Sequence, residues 1–241
     1  MRFEVDTHTH TVLSGHAQST LIENAAAAAK AGVKGIVLTD HGPSVQSAPP
    51  AFTIVTYAAF PKHIHGVRIY YGSEVNITDE NGSLDIKEKF LKQLDFSIAG
   101  LHNVVIKPSG KTRDTDAVIA AIGNTHIDVI SHPDNPDYEI DYDAFVKAKA
   151  RAGKLIEVNQ HSLWRKKDGP KNAAVYLELC KKHDVRVAVS SDAHIAMNIG
   201  VCDTAASVLE ENNFPSELIV NLTQKRFDAY LSERAKRISL R

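Results

Sequence analysis

Seven short runs rich in β-branched and aliphatic residues recur along the chain, and a longer helical pattern fills nearly every gap between them. The runs are FEVDT (3–7), GIVLTD (35–40), VRIYYGSE (67–74), LDFSIAGL (94–101), IDVIS (127–131), KLIEVN (154–159) and VRVAVSSD (185–192). The first gap holds STLIENAAAAAKAG, where Thr20 and Glu23 stand at capping-box spacing and Gly32 supplies the stop. Residues 116–124, 142–153, 172–183 and 203–213 read as further helices. Strands that alternate with helices form a parallel sheet of βαβ units, so the expected class is α/β.

The residues that end the runs narrow the architecture. In order they are His8 with His10, His41, Glu74, His102, His132, Asn159, and Asp192 with His194. From His10 to Asp192 the steps are 31, 33, 28, 30, 27 and 33 residues, each about one βα unit. A polar, ligand-capable residue therefore recurs at the same phase, at the carboxyl end of each strand. A closed β/α barrel directs all seven ends into one mouth. An open doubly wound sheet spreads them along an edge, and only those near its switch point meet. The barrel accounts for the whole series and the open sheet for part of it.

Composition removes several function classes. With 241 residues the chain can bury one large α/β domain or two small ones. Its formal net charge is -1 and its Lys and Arg are scattered, so no nucleic-acid footprint is visible. Two cysteines, Cys180 and Cys202, exclude a disulfide framework and a thiolate metal site, and Cys180 reads as a buried free thiol. The segment MRFEVDTHTH lacks the apolar stretch of a secretory signal, and no apolar run reaches a membrane span. The expected location is the cytoplasm, with no membrane partner.

Single histidines are usually surface or hydrogen-bonded core residues, and His63, His65, His126 and His183 have no better claim. His161, in EVNQHS, lies just past a strand end and is a candidate for the rim of a site. The strand-end set is different because its placements support one another. On a strand, residues i and i+2 face the same way, so His8 and His10 can grip one ion together, and Asp192 and His194 repeat the spacing. Imidazole and carboxylate without thiolate suit Zn²⁺, with Mn²⁺ or Fe²⁺ as substitutes. His8, His10, His16, His41, His102, His132, His194, Glu74 and Asp192 exceed the need of one tetrahedral ion. Three ions divide them naturally if one carboxylate bridges two.

Together, HTHTVLSGH, LTDHG, GSEVN, AGLH, ISHP and SSDAH, in this order and spacing, resemble the PHP (polymerase and histidinol phosphatase) family. Across nearly the whole length they look like its small single-domain branch, the YcdX-type probable phosphatases. The resemblance implies one domain over residues 1–241, folded as a distorted seven-stranded, TIM-like β/α barrel with three zinc ions at the carboxyl ends of its strands. It implies that His8, His10, Glu74 and Asp192 hold the first ion, and that Glu74 bridges to a second held by His102 and His132. His16, His41 and His194 would hold the third. A homo-oligomer, with a trimer as one form, is implied by the same likeness. EVNQHS departs from the small polar residues expected after the sixth strand, so Gln160 and His161 alter the pocket rim. Residues 43–66, with two adjacent prolines and few helix signals, read as a lid or a wall of the mouth.

Clustered divalent ions lower the pKa of bound water and clamp the oxygens of an in-line displacement, which suits phosphoryl transfer. Neither G-x-S-x-G nor a P-loop occurs. The leading expectation is hydrolysis of a small phosphomonoester by a metal-bridging hydroxide. Glu74 would act as the bridge, and Asp192 or a ligand-borne water as the proton donor to the leaving oxygen. Lys107, Lys111 and Arg113, or Arg165, Lys166 and Lys167, are the candidate phosphate-binding cations. Alternatives are a phosphodiesterase or nuclease, an amidohydrolase, or a non-catalytic zinc-binding module. The lack of a bridging lysine at a strand end weighs against the amidohydrolase.

Overall fold

A computed structural model of the chain describes residues 1–239. Its strands are β1 (Val5–Thr9), β2 (Gly35–Leu38), β3 (His63–Ile64), β4 (Val67–Asn76), β5 (Phe96–Gly100), β6 (Val129–Ile130), β7 (Leu155–Asn159) and β8 (Val187–Ser190). Its α-helices are α1 (Leu21–Ala31), α2 (Thr53–Thr56), α3 (Glu88–Leu91), α4 (Lys111–Gly123), α5 (Tyr142–Ala152), α6 (Gln160–Arg165), α7 (Gly169–Lys182), α8 (Asp203–Glu211) and α9 (Gln224–Ser239). Among these residues no helix is long and apolar enough to cross a membrane.

All strands but β3 pair in parallel, in the order β1-β2-β4-β5-β6-β7-β8, and make a nearly closed barrel. The short β3 adds an antiparallel pairing on β4. The expected capping box of α1 is present: Thr20 and Glu23 exchange hydrogen bonds, and Gly32 ends the helix in the left-handed region at φ 75°.

Alternation along the strands separates two cores. Val5, Val37, Tyr70, Phe96, Ile98, Val129, Leu155 and Ala188, drawn from every barrel strand, fill the lumen together with Phe227 and Tyr230 of α9. Their sequence neighbours, such as Ile36, Ile69, Ile156 and Val187, face outward into the larger core beneath the helices. Strict alternation would put Val5 and His8 on opposite faces. The β1–β2 pairing slips by one residue between Asp6 and Thr9, so Val5 joins the lumen while His8 stands above it.

Helix α9 was not legible in the strand–helix rhythm, and it plugs the amino-terminal end of the barrel. Arg234 reaches up to donate to Asp128 Oδ2 at 2.6 Å and to the carbonyls of Leu94 and His126 at 3.1 and 3.2 Å. Arg237 binds the other Asp128 oxygen at 3.0 Å. The lumen is therefore apolar and sealed below, which leaves the carboxyl ends as its open face.

The barrel's seam lies between β1 and β8. Near the mouth, His10 N–H donates to Ala193 O at 2.9 Å and Asp192 N–H to His8 O at 3.0 Å. Lower down, the buried side chain of Asn221 fills the gap, donating to Val5 O and Val189 O at 2.7 and 2.6 Å and accepting from Val189 N–H at 2.9 Å. Asn221→Ala removes all three bonds and strands buried backbone groups. It is expected to cost about 2–3 kcal/mol, read as a lower denaturant midpoint with an unchanged slope.

Candidate metal centre

Each strand end delivers its side chain to the mouth, and nine groups converge there. Glu74, near the end of the ten-residue β4, is 1% exposed and lies at their centre. Its Oε2 faces His41 Nδ1 at 3.0 Å, His8 Nε2 at 3.2 Å and His10 Nε2 at 3.5 Å. Its Oε1 faces His132 Nε2 at 3.1 Å and His102 Nε2 at 3.2 Å. Asp192 Oδ1 approaches His10 Nε2 at 3.1 Å and His8 Nε2 at 3.5 Å. On the outer side His16 and His194 meet through their Nε2 atoms at 2.9 Å, and the ring of His41 stacks on that of His16 at 5.1 Å between centroids.

The far nitrogen of most of these rings is tied down. Glu157 Oε1 accepts from His8 Nδ1 at 2.7 Å, and Asn76 Oδ1 from His102 Nδ1 at 2.7 Å. Ser14 Oγ takes up His10 Nδ1 at 2.9 Å while donating its own proton to Asp40 at 2.6 Å. The carbonyls of Ser14 and Asp192 accept from His16 Nδ1 and His194 Nδ1 at 3.0 and 2.9 Å. Because Nδ1 carries the proton in each case, Nε2 presents a lone pair to the centre. The Nε2 atoms of His8 and His10 then face each other at 2.9 Å, and those of His102 and His132 approach to 3.3 Å. Such an array is repulsive by itself and complementary to cations. In addition, buried Asp192 Oδ1 and His41 Nδ1 have no hydrogen-bond partner among the described residues. The donor set of imidazole and carboxylate fits zinc-like ions.

The local electrostatics agree. Burial, then the neighbouring His41, pushes the imidazole of His10 well below its ordinary pKa, and burial also lowers His102. For Glu74, burial raises the pKa, but the surrounding rings, His8 foremost, outweigh it and hold the carboxyl well below its usual range. Burial likewise opposes ionisation of Asp192 and is overcome by His8 and His10. At His8 burial lowers the pKa, yet Asp192, Glu74 and Glu157 together raise it well above normal, so a positive charge is favoured at this point. His132 and Asp192 also sit on left-handed backbone, at φ 33° and 52°, a conformation non-glycine residues adopt sparingly and mostly where function requires it.

All nine sequence-derived positions thus lie in one centre. His63, His65, His126 and His183 are absent from it, and His161 stands at the rim with Nδ1 3.8 Å from Asp192 Oδ2. Three residues that the sequence reading passed over hold the rings in place: Ser14, Asn76 and Glu157. The last could have been found, because Glu157 precedes the strand-ending Asn159 by two and so shares its face.

A cleft of about 780 Å³ opens above the centre, lined by His16, His41, His102, His132 and Asp192 and by loop residues around them. Of segment 43–66 only Ser44, Val45 and Gln46 reach it. The remainder packs on the barrel's outside, where Ile54 and Tyr57 are buried and Tyr57 stacks on Tyr71, so most of the expected lid is scaffold. The two basic clusters also separate. Lys107, Lys111 and Arg113 do not line the cleft, and Arg113 turns to Glu80 at 3.5 Å. Arg165 and Lys166 do line it. Lys166 is paired with Asp137 at 2.6 Å, whereas Arg165 makes no ion pair among the described residues.

The PHP domain model matches residues 6–161, a span that holds seven of the nine residues. This chain belongs to the PHP family. A protein of Acetivibrio thermocellus described as a probable phosphatase is 40% identical over 238 residues, 99% of each chain. Another probable phosphatase, from Caldicellulosiruptor bescii, is 42% identical over 241 residues, the full length of both. Among solved structures, the histidinol phosphate phosphatase of Lactococcus lactis, obtained with zinc, L-histidinol and phosphate, superposes with a TM-score of 0.59 at 15% identity. That superposition covers 88% of this chain and 94% of the other. A chain of an archaeal ribonuclease P superposes at 0.50 with 13% identity, covering 88% and 93%. At these identities the likeness shows a shared fold.

Glu157 acts on the centre through His8, since its other oxygen accepts from His132 N–H at 2.6 Å and Asn159 Nδ2 at 3.1 Å. Glu157→Gln is expected to lower zinc affinity by roughly 10–100-fold with the fold intact, measured by competition with a chromophoric chelator.

Proposed function

We propose that this chain is a metal-dependent phosphatase that hydrolyses a small phosphomonoester at a centre of three zinc ions. The observation that carries the reading is the division of labour at Glu74, whose two oxygens face two different groups of imidazoles. His8, His10, Glu74 and Asp192 would hold one ion, and Glu74, His102 and His132 a second. His16, His41 and His194 would hold the third. Zinc is the metal present in the Lactococcus neighbour, and Mn²⁺ or Fe²⁺ suit the same donors. When bound, such ions lower the pKa of water and neutralise phosphoryl oxygens.

The chain's own residues supply the rest. Arg165, at the cleft wall without a competing carboxylate partner, offers a planar fork to phosphate oxygens. Asn159 Nδ2 holds Asp192 Oδ2 at 3.2 Å, which fixes the carboxylate at the cleft floor. From there it accepts or relays a proton between water and the leaving oxygen. Ser44–Gln46 and Val104 bound the mouth and limit the bulk of what enters. The near-neutral net charge of -1 provides no track for a polyanion, so duplex nucleic acid is disfavoured as substrate.

Carefully prepared protein should contain about three zinc ions per chain by mass spectrometry of the metals. Stripping them should abolish hydrolysis of para-nitrophenyl phosphate, and Zn²⁺ or Mn²⁺ should restore it. Bis(para-nitrophenyl) phosphate and duplex DNA should be cleaved slowly or not at all. One ion or none would overturn the trinuclear reading. Diester or DNA cleavage that exceeds monoester cleavage and disappears in His10→Ala would replace the phosphatase with a nuclease.

Glu74→Gln keeps the side chain's shape and removes the charge two ions would share. It is expected to leave about one ion, where His16→Ala leaves about two. Retention of two or more ions with near-normal turnover in Glu74→Gln would remove Glu74 from the bridging position.

A further inference from the structure

None of the three ions proposed above uses His161, although its ring stands at the edge of the centre. One ligand-capable atom from each of His161, Asp192 and His194 lies within 4.8 Å of the others, and the rings of His161 and His194 meet edge-on with centroids 5.5 Å apart. Asp192 is divided as Glu74 is. Its Oδ1 faces His10 and His8 at 3.1 and 3.5 Å, whereas Oδ2 turns to Asn159 Nδ2 at 3.2 Å and His161 Nδ1 at 3.8 Å. The first ion takes Oδ1, which leaves Oδ2 and His161 over. His194 sits between two groups. Its Nδ1 is engaged by the Asp192 carbonyl at 2.9 Å, so it has one nitrogen to give, and that nitrogen already meets His16 at 2.9 Å. The three residues also share a cavity of their own: a second recess of about 370 Å³, on the far side of His161 from the main cleft, is lined by all of them. That recess contains Asp203 and no Lys or Arg, whereas the main cleft carries Arg165 and Lys166. The recess therefore admits cations and the cleft anions.

We propose that His161, Asp192 Oδ2 and His194 form an entry position for a divalent, zinc-class cation, through which the outermost ion reaches and leaves the site of His16, His41 and His194. The proposal rests on the metal-binding part of the reading above and not on hydrolysis. Two imidazoles and a carboxylate are a zinc donor set, and ring rotation closes their present span to bonds of about 2.0–2.2 Å. Because His194 serves one ion at a time, the position is not a fourth permanent site. An ion held there keeps His194 while His16 and His41 replace His161 and Asp192, so it moves inward without losing all its protein ligands at once. Water from the recess fills the remaining coordination, which keeps the hold weak enough for transit. Asp203, at the start of α8, raises the local concentration of cations.

Zinc-loaded protein mixed with excess 4-(2-pyridylazo)resorcinol should release its outermost ion in a distinct fast phase. In His161→Gln that phase should slow about ten-fold while the zinc content of the resting protein stays unchanged, and His161→Cys, which keeps a ligand, should retain the fast phase. In Asp203→Asn the slowing should be smaller and should vanish at high salt. Trp164 lines the recess and is the single tryptophan of the chain, so it gives a second readout. Co²⁺ added to the zinc-loaded protein should quench its fluorescence saturably, and His161→Gln should weaken that quenching about ten-fold. An unchanged fast phase with unchanged quenching in His161→Gln overturns the entry position. Loss of one zinc from resting His161→Gln also overturns it, because His161 would then be a permanent ligand. Protein that binds no zinc overturns the metal centre together with the entry position. The expected kinetics in a zinc-loaded protein that hydrolyses no monoester leave the entry position standing and overturn the phosphatase reading alone.

Discussion

The structure is organised around one buried carboxylate. Glu74 sits almost out of water, inside a barrel whose lower lumen is apolar, and an isolated charge there would carry a desolvation penalty of several kcal/mol. The penalty is tolerable because the ends of β1, β2, β5 and β6 bring imidazoles against both of its oxygens. This requires the strand ends to converge on one point, which a barrel of parallel strands provides and an open sheet, with its ends spread along an edge, does not. The long β4 and the pairing slip in β1 place Glu74 and His8 on the inner face at that height.

The ligand rings are held from behind by hydrogen bonds that contribute little to folding and much to geometry. Ser14, Asn76 and Glu157 each fix which nitrogen of a histidine bears the proton, so the opposing lone pair is committed to the centre before any ion arrives. The result is a set of nitrogen atoms closer together than neutral lone pairs favour. Left-handed backbone at His132 and Asp192 adds to the unfavourable side. Relief comes with positive charge at the centre.

The sequence exposed those features that repeat with the βα unit. Strand positions, the capped first helix and eight of the nine convergent residues follow the period of about thirty residues, the eight at or just past strand ends, while His16 comes from the loop after β1. What escaped lacks that period. Asn76 and Glu157 act through contacts between distant segments and Ser14 through a loop contact four residues from His10, and only the same-face position of Glu157 hinted at its role. The slip in β1 costs one residue and leaves no compositional mark. Helix α9 is largely polar, and only Phe227, Tyr230 and Arg234 are buried, too few to stand out before the barrel's lower opening is known. Residues 43–66 read as a lid because their irregularity is visible in sequence while the outer barrel surface that Tyr57 packs against is not.

The two ends of the barrel solve the same problem in different ways, and the difference separates stability from function. Below the lumen, Asp128 is fully buried and receives Arg234 and Arg237, whose guanidinium charges are permanent and which also donate to the carbonyls of Leu94, His126 and Gly153. That carboxylate has what it needs from the chain itself, and its network can serve only to hold α9 in the opening. Above the lumen, Glu74 and Asp192 face imidazoles that bring no permanent charge and keep their lone pairs directed inward. The countercharge there is exchangeable, a proton on His8 or His132 or a cation from outside the chain. A carboxylate satisfied by arginine closes a barrel end; a carboxylate satisfied by histidine leaves that end open to an exchangeable cation and, beside it, to an anion such as a phosphoryl group.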